Sequence, residues 1–237
     1  MFKCLHDNCY LKYKMQIKKI TQSISLFLYA FFVVLTLLFC CTLLYGKTAC
    51  FINANAYHST WLNIFFIKFT FIGDGIFSLI LIAILYFLFK QKKIALALLC
   101  SFLISGIAVQ IIKNLVHAPR PKLFFETRQY LYFIDGVTYA NHASFPSGHT
   151  TTAFAMAIVL AYFIKNKFWH LPILFMAILV GYSRIYLAQH FLEDVIAGAL
   201  LGSMCGILSI HIILNTKLVN LFTKEKNKFA ATDIANM

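Results

Sequence analysis

The sequence predicts an all-α fold: an integral membrane protein of six transmembrane helices in a single bundle, with both termini in the cytoplasm. Three observations lead to this prediction. Of the 237 residues, 61% are hydrophobic and only 12% are charged, about half the charged share of a soluble domain. The apolar residues fall into six runs, and each run is near the roughly 20 residues that a helix needs to cross a bilayer. Lys and Arg cluster between the runs, as orientation signals do.

The predicted spans follow one another at 22–45, 75–89, 94–112, 150–164, 168–185 and 194–214. The first has no charge between Lys19 and Lys47, which is too long for the core of a signal peptide and predicts an uncleaved span. The second and fourth are short, and they are expected to be extended by the apolar residues 69–72 and 143–145. The aromatic-rich residues 57–72 are expected to lie along the membrane interface. Asp74 is expected to cap the second span.

The distribution of positive charge gives the orientation. Of the 21 Lys and Arg residues, 14 fall in the N-terminal segment, in the tail and in the two connections that follow the second and fourth spans. The positive-inside rule makes this side cytoplasmic. The other 7 fall on the opposite side: Lys47, Lys68, Lys113, Arg120, Lys122, Arg128 and Arg184.

The chain length, the net charge and the cysteine spacing limit the domain organisation and the partners that can be expected. The chain is one domain over 1–237, with a cytoplasmic N-terminal segment at 1–21 and a cytoplasmic tail at 217–237. The net charge of +13 is spread between apolar runs, a pattern that argues for membrane lipids as partners and against nucleic acid. The seven cysteines show no metal-ligand spacing beyond the weak Cys4/Cys9 pair and imply no disulfide framework.

Three short motifs share the predicted noncytoplasmic side, because the third and fifth spans run outward and the fourth and sixth run inward. They are KNLVHAPRP at 113–121, PSGH at 146–149 and SRIYLAQHFLED at 183–194. A basic residue at the end of a span is usually an interfacial anchor, and PSGH alone is usually a turn. The joint occurrence of these motifs on one side predicts a functional site within 113–194.

The residue types in the motifs suit phosphate. Arg120 and Arg184 can bind phosphate oxygens bidentately, and Lys113 supplies a compact positive charge. Ser147 and Gly148 stand at the predicted start of a helix, where free backbone N–H groups favour an anion.

The histidines predict group transfer. His190 and Asp194 are four residues apart and share a face if the sixth helix starts near His190. Asp194 would then accept the proton of one imidazole nitrogen and leave the other as a nucleophile. His149 is placed to act as a general acid. Because the three cations and the helix N-terminus would stabilise the phosphoryl group, no metal and no other cofactor is expected.

Together the motifs resemble the complete three-part signature of the type 2 phosphatidic acid phosphatase superfamily. The matching positions are Lys113, Arg120, Pro121, Pro146, Ser147, Gly148, His149, Ser183, Arg184, His190 and Asp194. The resemblance implies metal-independent dephosphorylation through a phosphohistidine, with His190 as nucleophile, Asp194 orienting it and His149 protonating the leaving group. It implies that Lys113, Arg120, Ser147, Gly148 and Arg184 hold the phosphate.

The leading hypothesis is a lipid phosphatase at the outer face of the cytoplasmic membrane. Its candidate substrates are undecaprenyl diphosphate, phosphatidylglycerol phosphate, phosphatidic acid and lipid A phosphates, and an isoprenyl diphosphate or a broad specificity is favoured. Two alternatives stay open: a phosphotransferase that moves lipid phosphate to another lipid or sugar, and a noncatalytic lipid-phosphate binder or transporter.

Overall fold

The computed structural model describes residues 2–125 and 132–215, with side chains from residue 13 onward, and the described parts contain helices and no strand. Arg128 and the predicted tail lie outside the described residues, as do the side chains of the first basic residues of the chain. The α-helices are α1 (Phe2–Ser23), α2 (Ser25–Ala54), α3 (Thr60–Phe69), α4 (Gly75–Ala83), α5 (Lys92–Val116), α6 (Pro121–Phe125), α7 (Gly148–Phe163), α8 (His170–Tyr186) and α9 (Leu192–Asn215).

A helix lies at each of the six predicted spans, but their lengths differ. Four helical segments are long and apolar enough to cross a membrane: Ser25–Ala54, Lys92–Phe125, Lys167–Tyr186 and Leu192–Asn215. A bent pair, Thr60–Gly73 with Gly75–Leu88, brings the number to five if it is one span. The structure therefore supports an all-helical membrane protein with four or five candidate spans among the described residues.

The two short spans are not extended as expected. Residues 70–73 form a 3₁₀ turn, and the helix that ends at Gly73 meets the next at an angle of 60°. Asp74 caps α4 as predicted, because its Oδ1 accepts a 2.8 Å hydrogen bond from the backbone N–H of Ile76. Residues 143–145 lie outside α7, which begins at Gly148 after the N-cap Ser147 and spans 16 residues, about 24 Å.

Helix α2 breaks at Gly46, whose φ of 74° lies in the left-handed region that glycine tolerates. The chain beyond the break packs against the start of α9. There Lys47 Nζ lies 4.1 Å from the centre of the Phe191 ring and 3.7 Å from a carboxylate oxygen of Glu193. The second half of α2 thus covers the segment that carries His190.

Helices α7 and α9 run parallel and pack closely along a glycine stripe. A Cβ at Gly198 would lie 2.7 Å from the carbonyl oxygen of Ser147, and one at Gly206 would lie 2.9 Å from that of Ala155. Gly202, between them on α9, meets the carbonyl of Thr151 in the same way. Small residues at this spacing let helix backbones approach. The shared direction of α7 and α9 agrees with the prediction that the fourth and sixth spans run the same way.

Candidate active site

The three motifs meet at one end of the bundle, where α5 and α8 end and α7 and α9 begin. The backbone N–H of Ser147 donates to the carbonyl oxygen of Asp194 at 3.0 Å, which joins the second motif to the third. The backbone N–H of Ser144 donates to the carbonyl oxygen of Ala118 at 3.0 Å, which joins the loop before α7 to the first motif. Residues that are far apart in the sequence therefore lie together at this end of the bundle.

His190 and Asp194 form a buried pair, each with a side chain that is 2% exposed. Nδ1 of His190 lies 3.5 Å from Oδ2 of Asp194, which is long for a hydrogen bond but close for a charge pair. His190 and Asp194 do not share a helical face as expected, because α9 begins at Leu192 and His190 precedes it. Instead Asp194 lies in the first turn and reaches back: its Oδ2 accepts from the backbone N–H of Phe191 at 2.9 Å.

Asp194 Oδ2 also accepts a 2.6 Å hydrogen bond from the hydroxyl of Ser144. A carboxylate that receives several hydrogen bonds is fixed in place and favoured in its ionised form. Asp194 is thus a rigid acceptor beside His190.

The His190 imidazole lies in the connection between α8 and α9, outside both helices. Burial, together with the charges of Arg184 and Arg120, lowers the pKa of His190 to about 4 against the opposing effect of Asp194. The imidazole is therefore neutral at physiological pH. With Nδ1 towards Asp194, Nε2 is the nitrogen free to attack an electrophile.

Arg184 lies in the last turn of α8 and is 7% exposed. One guanidinium nitrogen donates to the hydroxyl of Thr70 at 2.7 Å, while its buried Nε–H has no protein partner. A buried donor without a partner is rare, and an anion is the ligand that would satisfy it. Arg184 also lines a cleft with Thr70, Thr138 and Gln189.

Arg120 is anchored from two sides. Its Nε–H donates to the carbonyl oxygen of His142 at 3.0 Å, and a terminal nitrogen donates to the side-chain oxygen of Gln189 at 2.8 Å. Gln189 in turn donates to the carbonyl oxygen of Thr138 at 2.8 Å. This chain of bonds fixes the guanidinium while leaving donors unused.

The remaining candidate phosphate ligands lie at helix ends. Lys113 is in the last turn of α5, within electrostatic range of Arg120, Arg184 and Asp194. Ser147 is fully buried, and its hydroxyl caps α7 by accepting from Thr150. Gly148 opens α7, where the free N–H groups of a first turn attract anions.

His149 follows in the same turn, and its Nε2 lies 3.7 Å from Oδ2 of Asp74. The imidazole is within electrostatic range of Arg184 and His190, so it faces the other two motifs. The predicted site residues thus lie at the same end of the bundle.

Three contacting side chains were not predicted from the sequence: Thr70, Ser144 and Gln189. Ser144 and Gln189 have local signals, because Ser144 lies two residues before the second motif and Gln189 lies inside the third. Thr70 has none, since it lies in the aromatic-rich segment, far from every motif in the sequence.

This chain is similar to a known protein family and to several known proteins. The family model described as "PAP2 superfamily" matches residues 94–217. The undecaprenyl-diphosphatase of Sulfolobus acidocaldarius is 35% identical over 130 residues, 55% of this chain and 60% of that protein. The lipid A 4'-phosphatase of Porphyromonas gingivalis is 32% identical over 132 residues, 53% of this chain and 56% of that protein. The matched region thus spans less than two thirds of the length of either relative.

Two further similarities extend over more of the relative. Phosphatidylglycerophosphatase B of Bacillus subtilis is 30% identical over 157 residues, 60% of this chain and 70% of that protein. The crystal structure of Aquifex aeolicus LpxE superposes with a TM-score of 0.61 at 30% identity, covering 69% of this chain and 94% of that one.

A transmembrane PAP2-type phosphatidylglycerolphosphate phosphatase of Bacillus subtilis shares the fold, with a TM-score of 0.57 at 24% identity over 76% of this chain and 92% of that one. The matched region of the family model covers more than half of the chain and contains all three motifs. The resemblance found in the sequence is therefore confirmed, and this chain belongs to the PAP2 superfamily.

Proposed function

We propose that this protein is a metal-independent lipid phosphate phosphatase that works through a phosphohistidine on His190. One observation carries the proposal: a buried neutral imidazole paired with Asp194 lies among the side chains of Lys113, Arg120 and Arg184. A neutral nucleophile surrounded by cations suits attack on an anionic phosphoryl group. The unpartnered Nε–H of Arg184 supplies a donor for one of its oxygens.

In the first step Nε2 of His190 forms a bond to phosphorus while the bond between phosphorus and the leaving oxygen breaks. Asp194 stabilises the positive charge that develops on the ring. His149 gives its proton to the leaving oxygen, which departs as a neutral alcohol or as a lipid monophosphate. Arg120, Arg184 and Lys113 neutralise the charge on the equatorial oxygens, so the protein itself supplies the electrostatic stabilisation.

In the second step water attacks the phosphohistidine. His149, now neutral, takes a proton from that water as the bond between phosphorus and Nε2 breaks. Inorganic phosphate leaves, and both histidines return to their starting state.

Two observations support a lipid as substrate. An apolar cavity lies between α2, α8 and α9, lined by residues that include Leu38, Tyr182, Ile185, Leu192 and Val195. Ile185 and Leu192 flank the His190 segment, so an alkyl chain in this cavity would end near the pocket. The relatives are named as phosphatases of undecaprenyl diphosphate, lipid A and phosphatidylglycerol phosphate. We favour an isoprenyl diphosphate or a broad set of these lipids.

The proposed setting is a six-span protein of the cytoplasmic membrane, with both termini inside and the pocket facing outward. The excess of Lys and Arg on the opposite side supports this orientation. The parallel course of α7 and α9 supports counting α7 as a span despite its length.

The test is phosphate release by the purified protein in detergent, with EDTA present and absent. The panel holds undecaprenyl diphosphate, phosphatidylglycerol phosphate, phosphatidic acid and lipid A, and His190→Ala is the control. We expect release that EDTA leaves nearly unchanged and that His190→Ala abolishes. Acid-labile phosphate on the trapped wild-type protein, absent from His190→Ala, would identify the intermediate.

Other outcomes contradict the proposal. Release only after a second lipid or sugar is added would indicate phosphotransfer, and binding without release would indicate a binder or transporter. Inhibition by EDTA that Mg²⁺ reverses would contradict the metal-free mechanism.

A further inference from the structure

Asp74 brings a carboxylate to His149 from an element that lies outside all three motifs. Its Oδ2 is 3.7 Å from Nε2 of His149, within reach of an ion pair once the imidazole is protonated. Asp74 is the N-cap of α4, and His149 lies in the first turn of α7. The pair therefore joins two helix starts that are 75 residues apart in the sequence.

The turn that carries Asp74 is fitted to the backbone of His149. A Cβ at Gly73 would lie 2.8 Å from the carbonyl oxygen of His149 and 2.6 Å from Cγ1 of Val180. These distances are too short for a side chain, so glycine lets the turn lie directly against the start of α7. Gly73 thus allows the turn to approach α7, and Asp74 in the same turn lies close to the His149 imidazole.

The Asp74 carboxylate is also held by its own helix. Its Oδ1 accepts from the backbone N–H of Ile76 at 2.8 Å, and the hydroxyl of Ser78 donates to its backbone oxygen at 3.2 Å. Oδ2 is the oxygen directed at His149. The carboxylate is therefore presented in a fixed position.

The charges around His149 explain what such a carboxylate would do. Burial and four groups from other elements oppose a proton on this imidazole: Arg184 of α8, His190 of the segment before α9, Lys113 of α5 and Arg120 of the loop after α5. Adding a proton to His149 brings a further positive charge into this surrounding. Like charges oppose that protonation, and a close opposite charge favours it.

The other carboxylate of the pocket is already engaged. Asp194 of α9 receives hydrogen bonds from Ser144 and from the backbone of Phe191, and it pairs with His190. Within the described residues, Asp74 is the carboxylate that forms an ion pair with His149.

We propose that Asp74 is a positioning residue for His149: it orients the imidazole and stabilises the positive charge that the ring carries before its proton passes to the leaving oxygen. The inference rests on the proposed function, in which His149 is the general acid. Asp74 exchanges no proton in either step. After the proton has left with the leaving group, His149 recovers one from the attacking water, and Asp74 again stabilises the charged ring.

The simpler alternative is that Asp74 only caps α4, and one substitution separates the two roles. Asn is as good an N-cap as Asp, so Asp74→Asn keeps the cap on Ile76 and removes the charge. Asp74→Glu keeps the charge. Asp135→Asn is the matched control, because it removes an acidic charge from an exposed turn of the loop before α7.

The readout is the pH dependence of kcat in detergent, which reports the ionisations of the enzyme–substrate complex, measured with the panel lipid that the wild type hydrolyses fastest. Activity is expected to fall at high pH as the general acid loses its proton. Without the carboxylate that loss comes earlier, so in Asp74→Asn the high-pH fall should move to lower pH by about one unit, a loss of about tenfold on that limb. Asp74→Glu should recover part of the shift, and Asp135→Asn should superimpose on the wild type.

A double substitution gives a second readout. If Asp74 acts through His149, adding Asp74→Asn to His149→Ala should lower the residual rate no further. Thermal melting of each variant checks that it is folded. Since Asp74→Asn retains the cap, its melting temperature should be close to that of the wild type.

The other possible results contradict either the role of Asp74 or the proposed function itself. An Asp74→Asn profile that superimposes on the wild type, an equal shift in Asp135→Asn, or a full additional loss in the double variant overturns the role of Asp74 alone. A wild-type protein that releases no phosphate overturns the proposed function and this inference with it.

Discussion

Ser144 donates a 2.6 Å hydrogen bond to Asp194 across 50 residues of sequence, and both side chains are buried. The bond ties the loop before α7 to the first turn of α9. It therefore sets where the carboxylate lies with respect to His190.

Ser144→Ala should lower kcat by about 10- to 100-fold, because a hydrogen bond to a charged group contributes roughly 1.5–3 kcal/mol. Phosphate release from the preferred panel lipid measures the loss. Ser101→Ala is the matched control: Ser101 is equally buried but donates to Leu98 of its own helix, so its loss should change kcat little. An unchanged kcat in Ser144→Ala would show that Phe191 alone holds Asp194.

Gln189→Met should lower kcat/KM by about tenfold, because Arg120 loses the acceptor that fixes its guanidinium. The effect should be smaller in an Arg120→Lys background, where that bond is already absent. Gln110→Met, at an exposed position of α5, is the control for the substitution itself. Strictly additive losses in the double variant would separate Gln189 from Arg120.

The free energy of unfolding should decrease as the pH is lowered, because His190 is harder to protonate in the folded protein than in the unfolded chain. Its pKa is about 4 in the fold against an ordinary 6.5, so the unfolded chain binds the proton first. This stabilisation is complete above the ordinary pKa and is lost as pH falls towards the folded value. The loss from about pH 7.5 to about pH 5 amounts to roughly 2 kcal/mol.

Denaturant titration or thermal melting of the detergent-solubilised protein at the two pH values measures that loss. His190→Gln should reduce the pH dependence, whereas His142→Gln, at an exposed side chain, should retain it. An equal pH dependence in wild type and His190→Gln would contradict a buried neutral His190.

Gly198→Ala should destabilise the fold by about 1–3 kcal/mol, because its Cβ would meet the carbonyl oxygen of Ser147 at 2.7 Å. It should also lower activity, since Ser147 caps α7 beside the pocket. Gly106→Ala is the control: nothing lies within 4 Å of a Cβ there, and Ala favours an exposed helical position. Similar melting temperatures for the two variants would argue against the close contact of α7 and α9.

Reporter fusions test the orientation. A fusion after Arg128 should report the noncytoplasmic side, and one after Asn166, between α7 and α8, should report the cytoplasm. A cytoplasmic signal after Arg128 would reverse the proposed topology. Signals from the same side at both positions would instead contradict α7 as a span.

The sequence alone determined the all-helical class of fold and the family, and it predicted the eight candidate site residues. It could do so because apolar runs, charge clusters and helix-start residues such as Ser147 are local signals. The family is readable for the same reason, since each motif is a short contiguous stretch at the end of a helix.

Only the tertiary structure decided how these residues are held. The bend before Asp74 and the start of α9 after His190 depend on packing between helices, and no periodicity encodes them. The support from Thr70 to Arg184 crosses 114 residues of sequence. The close packing of α9 and of the turn at Gly73 against α7 depends on glycines that let backbones approach within contact distance, which a linear pattern does not specify.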